Sequence, residues 1–105
     1  MYNGWANYPT WALNLWLTNE PGSYRAWLAQ AREAMGETGG NVPLAAAFLA
    51  DSIQTQVEEG NPLDAPGAYT DILTWALGEV DYREIARWFI ETAAGGEIEG
   101  DSEEV

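Results

Sequence analysis

The sequence predicts an all-α fold: a small single-domain bundle of four to five short helices, with an ordered aromatic arm at its N-terminus and a disordered acidic tail. Three observations carry that expectation. Apolar residues recur at helical spacing in successive stretches, each bounded by glycine or proline. Three of the six tryptophans fall within residues 2–17, so one segment dominates the supply of core-forming surface. No cysteine occurs in the 105 residues, so packing rather than a disulfide framework or a thiolate metal site must hold the fold. A domain near this size buries ~60 to 68% of its unfolded surface, enough for one independent core.

The elements follow in order. Asn3-Gly4 and Tyr8-Pro9 are turn dipeptides, and Pro9 biases Tyr8 towards extended backbone, so residues 2–9 read as a non-helical arm packed across the helices. Thr10 is placed to cap a first helix carrying Trp11, Leu15 and Trp16, with Asn3, Asn7 and Asn14 as local partners for the aromatic N–H and O–H groups. Asn19-Glu20-Pro21-Gly22 breaks the chain. A second helix from Ser23 has Tyr24, Trp27, Leu28, Ala31 and Met35 on one face and ends at Gly36 and Gly39-Gly40. Asn41-Val42-Pro43 opens a third, whose apolar positions are Leu44, Phe48, Leu49, Ile53 and Val57. After the stiff loop 61–67, Tyr69, Ile72, Leu73, Ala76 and Leu77 give the cleanest stripe, with Trp75 on its flank and Gly78 as a C-cap. Asp81 and Glu84 form a D-x-x-E capping signal for a fifth helix that carries Ile85, Ala86, Phe89, Ile90 and Ala93 to a stop at Gly95-Gly96. The helical domain is thus residues 1–95, and 96–105 the disordered tail. Trp11, Leu15, Trp16, Trp27, Leu28, Phe48, Leu73, Leu77, Ile85 and Phe89 are expected to be largely buried.

Two stretches carry a family resemblance. Asn3-Gly4-Trp5-Ala6-Asn7-Tyr8-Pro9-Thr10-Trp11 resembles the NGWxNYxTW opening of an uncharacterised family of small proteins from phages, plasmids and prokaryotic chromosomes, and Val80-Asp81-Tyr82-Arg83-Glu84-Ile85-Ala86 resembles its late V-[DN]-W-x-E-I-A segment. Pro9 stands where glutamate is usual, and Tyr82 where tryptophan is. The resemblance brings no established activity or site residues. It implies a mobile-element setting, in which small accessory proteins often act against host defence systems.

Charge is the strongest compositional signal. Seventeen acids face four arginines and no lysine, for a net charge of −13; five acids follow Gly96, so the remaining twelve against four arginines leave the body near −8. Such a surface repels nucleic acid and favours basic partners. Without histidine or cysteine, catalysis would rest on carboxylate pairs such as Glu58-Glu59 or Asp81/Glu84, which read better as a helix end and a cap, so no enzyme, catalytic residue, cofactor or metal site is expected. No apolar run reaches the ~18 residues of a membrane span and no signal peptide is legible, which points to a cytoplasmic protein.

Two function classes remain. In the first, a non-enzymatic inhibitor of anti-CRISPR or antirestriction type, a nucleic-acid mimic in its strictest form, uses Asp51, Glu58, Glu59, Asp71, Glu79, Asp81, Glu84 and Glu91 to occupy the basic surface of a host nucleic-acid-handling or defence protein. In the second, an interaction or self-assembly module binds through exposed aromatic residues, with Trp75 and Trp88 as candidates and a homodimer as the simplest product.

Overall fold

The computed structural model describes residues 1–63 and 65–104, with side chains as far as residue 95. Five helices follow one another: α1 (Tyr8–Asn19), α2 (Pro21–Glu37), α3 (Val42–Glu59), α4 (Ala68–Gly78) and α5 (Tyr82–Glu104). Among the described residues there is no strand, only one isolated bridge between Tyr2 and Trp5. The all-α single domain is therefore as the sequence predicts. The backbone of α5 runs through Gly95 and Gly96, where the sequence predicts a stop. The expected disordered tail, 96–105, lies outside the described side chains, and Asp64 of the loop 61–67 also lies outside the described residues.

Helix starts show where local chemistry outweighs pattern. Asn7, not Thr10, caps α1: its side chain accepts from the Thr10 N–H at 3.0 Å, and Pro9 sits in the first turn, where its missing N–H costs nothing. The four-residue break before α2 shrinks to Glu20 alone, because Pro21 is equally suited to a first turn. Asn41 caps α3 as expected, accepting from the Leu44 N–H at 3.1 Å. The turn between α2 and α3 uses Gly39 and Gly40 at positive φ, a left-handed backbone that a Cβ disfavours.

The core lies among α2, α3 and α5, with α1 leaning on α2 and α5. Trp27, Leu49, Ile53, Ile85, Phe89 and Ile90 fill it, and Ala31, Ala34, Ala45, Ala46, Ala86 and Ala93 line the helix faces between them. Short side chains at the crossings let helix axes approach closely, which is why alanines occupy positions that a search for large apolar residues passes over. Three core expectations fail. Phe48 is 53% exposed because Ala45 and Leu49 turn the α3 face inward and leave Leu44 and Phe48 off it. On α1, Trp16 is 67% exposed and Leu15 is also open, while Thr10 and Asn14, four residues apart, face inward. The Asn14 Nδ2 finds no acceptor among the described residues, and Asn7, expected to serve the aromatic N–H and O–H groups, instead binds Thr10 and the Glu79 carbonyl. Trp11, Leu28, Leu73 and Leu77 are half-buried.

The arm itself is a miniature turn. Tyr2 and Trp5 exchange two backbone hydrogen bonds of 2.8 Å across Asn3 and Gly4, both at positive φ. Trp5 then packs against Trp88 (centroids 6.4 Å apart), which also meets Tyr24 at 6.4 Å and Phe89 edge-on at 5.0 Å. Tyr2, Tyr8 and Trp11 make a second, outer cluster at 5.1 to 5.7 Å. Polar bonds fix this arm to the α4–α5 junction. The Ala6 N–H donates to Glu84 Oε1 (2.9 Å), the Asn7 Nδ2 donates to the Glu79 carbonyl (2.7 Å), and the Asp81 N–H donates to Thr10 Oγ1 (2.8 Å), whose own hydroxyl donates to Asn7 Oδ1 (2.6 Å). The expected capping box is thereby half-made: Asp81 accepts from the Glu84 N–H at 3.0 Å, but Thr10 takes the Asp81 N–H, and the Glu84 carboxylate is released to hold the arm.

Candidate partner-binding surfaces

The eight candidate acids divide into those open to solvent and those engaged in the fold. Asp51, Glu58 and Glu59 stand exposed on α3, with Glu58 Oε2 accepting from Gln54 Nε2 at 3.0 Å, Asp71 in the first turn of α4, and Glu79 at its C-terminal end. Asp51 and Glu58 lie seven residues apart on one side of α3, about 10 Å along the axis. Asp81 and Glu84 are bound up in the arm junction, so their carboxylates are structural groups. Glu91 is exposed, but it shares a groove of about 320 Å³ with Gly4, Trp5, Glu84, Arg87 and Trp88, where Arg87 offsets its charge. Arg83 and Arg87 border the adjoining groove with Asp81 and Glu84. The α5 side is thus of mixed sign.

The opposite holds for α3 and α4. All four arginines are at positions 25, 32, 83 and 87, so residues 33–82 contain nine acids and no base. Glu58 reaches the α4 side, lining a groove with Asn61, Thr74, Leu77 and Gly78. Near it also lies Tyr82, a buried residue whose hydroxyl donates to the Leu77 carbonyl at 3.3 Å. Burial first, and then the Glu58 carboxylate, raise the Tyr82 phenol above its ordinary value of 10.0, since both disfavour the phenolate.

Of the two aromatic candidates, Trp75 is open (64% exposed), whereas Trp88 is half-buried against Trp5, Tyr24 and Phe89 and presents only part of its ring to the groove beside it. Trp88 is more a core residue than the flanking position suggests, because the arm covers it. Sequence reasoning missed Tyr69 and Ile72, which it assigned to the buried stripe and which are 81% and 64% exposed. The α4 stripe is wider than one helix face. Leu73 and Leu77 are half-buried while Tyr69, Ile72 and Trp75 are open, and α4, which packs extensively on no other helix among the described residues, has no fully buried residue. The legible signal was the count of apolar residues: six between Tyr69 and Leu77 exceed a single ~100° stripe in so short a helix.

Among the described residues, no three carboxylates converge as a metal-binding group, and no helix is long and apolar enough to cross a membrane. No curated protein and no solved structure matches the chain. A family model does match, over residues 1–94, which takes in all of the arm, α1 to α4 and the described core of α5: the chain belongs to DUF7249, a family of unknown function.

Proposed function

We propose that this protein works by occupying a basic surface on a partner protein, without catalysis and without binding DNA or RNA itself. The observation that carries the reading is the unbroken acidity of residues 33–82, with Asp51, Glu58, Glu59, Asp71 and Glu79 all exposed and no basic side chain among them. A surface of one sign steers an oppositely charged partner and repels phosphate. The mobile-element setting implied by the sequence resemblance makes a host nucleic-acid-handling or defence protein the partner class, with inhibition of anti-CRISPR or antirestriction type as the outcome. Strict mimicry of a duplex has less support: carboxylates about 10 Å apart on α3 are sparse beside one charge per ~1.7 Å of DNA axis.

The test is retention of host proteins on the immobilised full-length chain at about 50 mM and about 500 mM salt. Charge reversal belongs at Asp51, Glu58, Glu59 and Asp71, since Asp81 and Glu84 hold the fold together. The expected result is a nucleic-acid-binding protein that is retained at low salt, displaced by added duplex DNA, and lost on the quadruple lysine variant while its far-UV spectrum stays helical. Retention unchanged by charge reversal would refute the reading.

A further inference from the structure

We infer that α4 is a docking helix whose Tyr69–Ile72–Trp75 side inserts into an apolar groove, rimmed by lysine or arginine, on the partner protein; this rests on the basic-partner reading above. Tyr69, Ile72 and Trp75 follow one another at three-residue intervals and are 81%, 64% and 64% exposed. An exposed row of one aliphatic and two aromatic residues on a helix is the form that grooves in other proteins receive, and tryptophan and tyrosine are the residues that most often dominate such interfaces.

The helix is held so that this row stays open. Its C-terminal end is fixed by the Tyr82 hydroxyl on the Leu77 carbonyl and by Asn7 on the Glu79 carbonyl, while Thr70 donates to the Ala65 carbonyl at its start. Leu73 and Leu77 are half-buried, and Leu77 lines the groove that α4 shares with Glu58. None of these anchors uses Tyr69, Ile72 or Trp75, so the open row contributes little to holding the helix in place.

The charge around the row selects the occupant. Asp71 is next to Ile72 and one turn before Trp75, Glu79 lies one turn beyond Trp75, and Glu58 borders the groove beneath the helix, with no basic residue from 33 to 82. A groove with a basic rim matches this border, and an acidic or neutral one does not. A second copy fits poorly. The open parts of the three side chains amount to roughly 400 Å², taking ~150 to 250 Å² for each whole aromatic. Two copies face to face would bury about 800 Å² against the ~1,200 Å² of a stable interface. They would also bring together two chains of net charge −13. A groove that wraps the helix covers its flanks as well and removes both objections.

The test uses two photo-crosslinking variants of the full chain in host lysate: p-benzoylphenylalanine in place of Ile72, and the same residue in place of Thr55, which stands exposed on α3 among Asp51, Glu58 and Glu59. The expected result is an adduct from Ile72 to a single protein, mapped by mass spectrometry to an apolar groove flanked by lysine or arginine. That protein, once purified, should bind Trp75→Ala about 30-fold more weakly than wild type, with the helical far-UV signal of the variant unchanged. An adduct from Thr55 alone overturns the docking helix and leaves the basic-partner reading standing. Adducts from neither position overturn both, and an Ile72 adduct to a second copy of the chain overturns the heterologous groove in favour of a dimer.

Discussion

Replacing Asn7 by alanine probes the bonds that join the N-terminal arm to the α4–α5 junction. Asn7 Oδ1 caps α1 through the Thr10 N–H and also receives the Thr10 hydroxyl, while Nδ2 donates to the Glu79 carbonyl 72 residues away. Loss of an asparagine N-cap costs about 1 kcal/mol in most settings. The bond to Glu79 adds less than a buried one would, because water can replace the donor at that exposed carbonyl, so ~0.5 to 1 kcal/mol is its share. Asn7→Ala should therefore lower the unfolding free energy by about 1.5 to 2 kcal/mol, and Tm by about 6 to 15 °C. Asn7→Ser keeps a capping oxygen and loses only the reach to Glu79, so its cost should stay below ~1 kcal/mol. Urea denaturation followed by tryptophan fluorescence and far-UV circular dichroism, with the m-value unchanged between variants, measures both. A loss under ~0.5 kcal/mol for the alanine variant, or equal losses for alanine and serine, would refute the assignment of two separate jobs to this side chain.

Three further outcomes are expected. Phe89→Ala empties a fully buried site among α2, α3 and α5 and should cost ~3 to 5 kcal/mol. Trp16→Ala removes a ring only one-third buried, ~80 Å² of some 250 Å², and should cost under ~2 kcal/mol in the same denaturation assay; equal losses at the two sites would contradict the packing. Tyr82 titrates higher in the folded state than its ordinary value of 10.0, so the unfolded chain gives up that proton first, and its contribution to stability is full below about pH 10 and lost as pH rises through the folded value. Tyr82→Phe should flatten the alkaline limb of a stability-versus-pH curve, and an unchanged limb would show that burial and Glu58 do not act on this phenol.

How much of this was legible from residues alone varies with the kind of signal. Helix number, the Asn41 cap before Pro43, the Asp81 cap of α5 and the burial of Trp27, Ile85 and Phe89 follow from local chemistry and from 3.6-residue spacing, which any segment carries by itself. So does the −13 charge, which sets the sign of a partner before any coordinate is known. Which of two apolar faces turns inward is a different matter. Periodicity marks Leu44 and Phe48 on α3, or Tyr69 and Ile72 on α4, as apolar, but only the approach of α2 and α5 over alanine-lined crossings selects Ala45, Ala46 and Leu49 on α3, and the row on α4 stays open because no other helix packs extensively against α4. Hydrogen bonds between residues more than 70 positions apart are likewise invisible to spacing. Asn7 reads as a local partner for aromatic N–H and O–H groups and Glu84 as a member of a local cap, and the fold gives each a distant partner, because bringing the arm against the α4–α5 junction supplies a carbonyl and an N–H that no local segment offers.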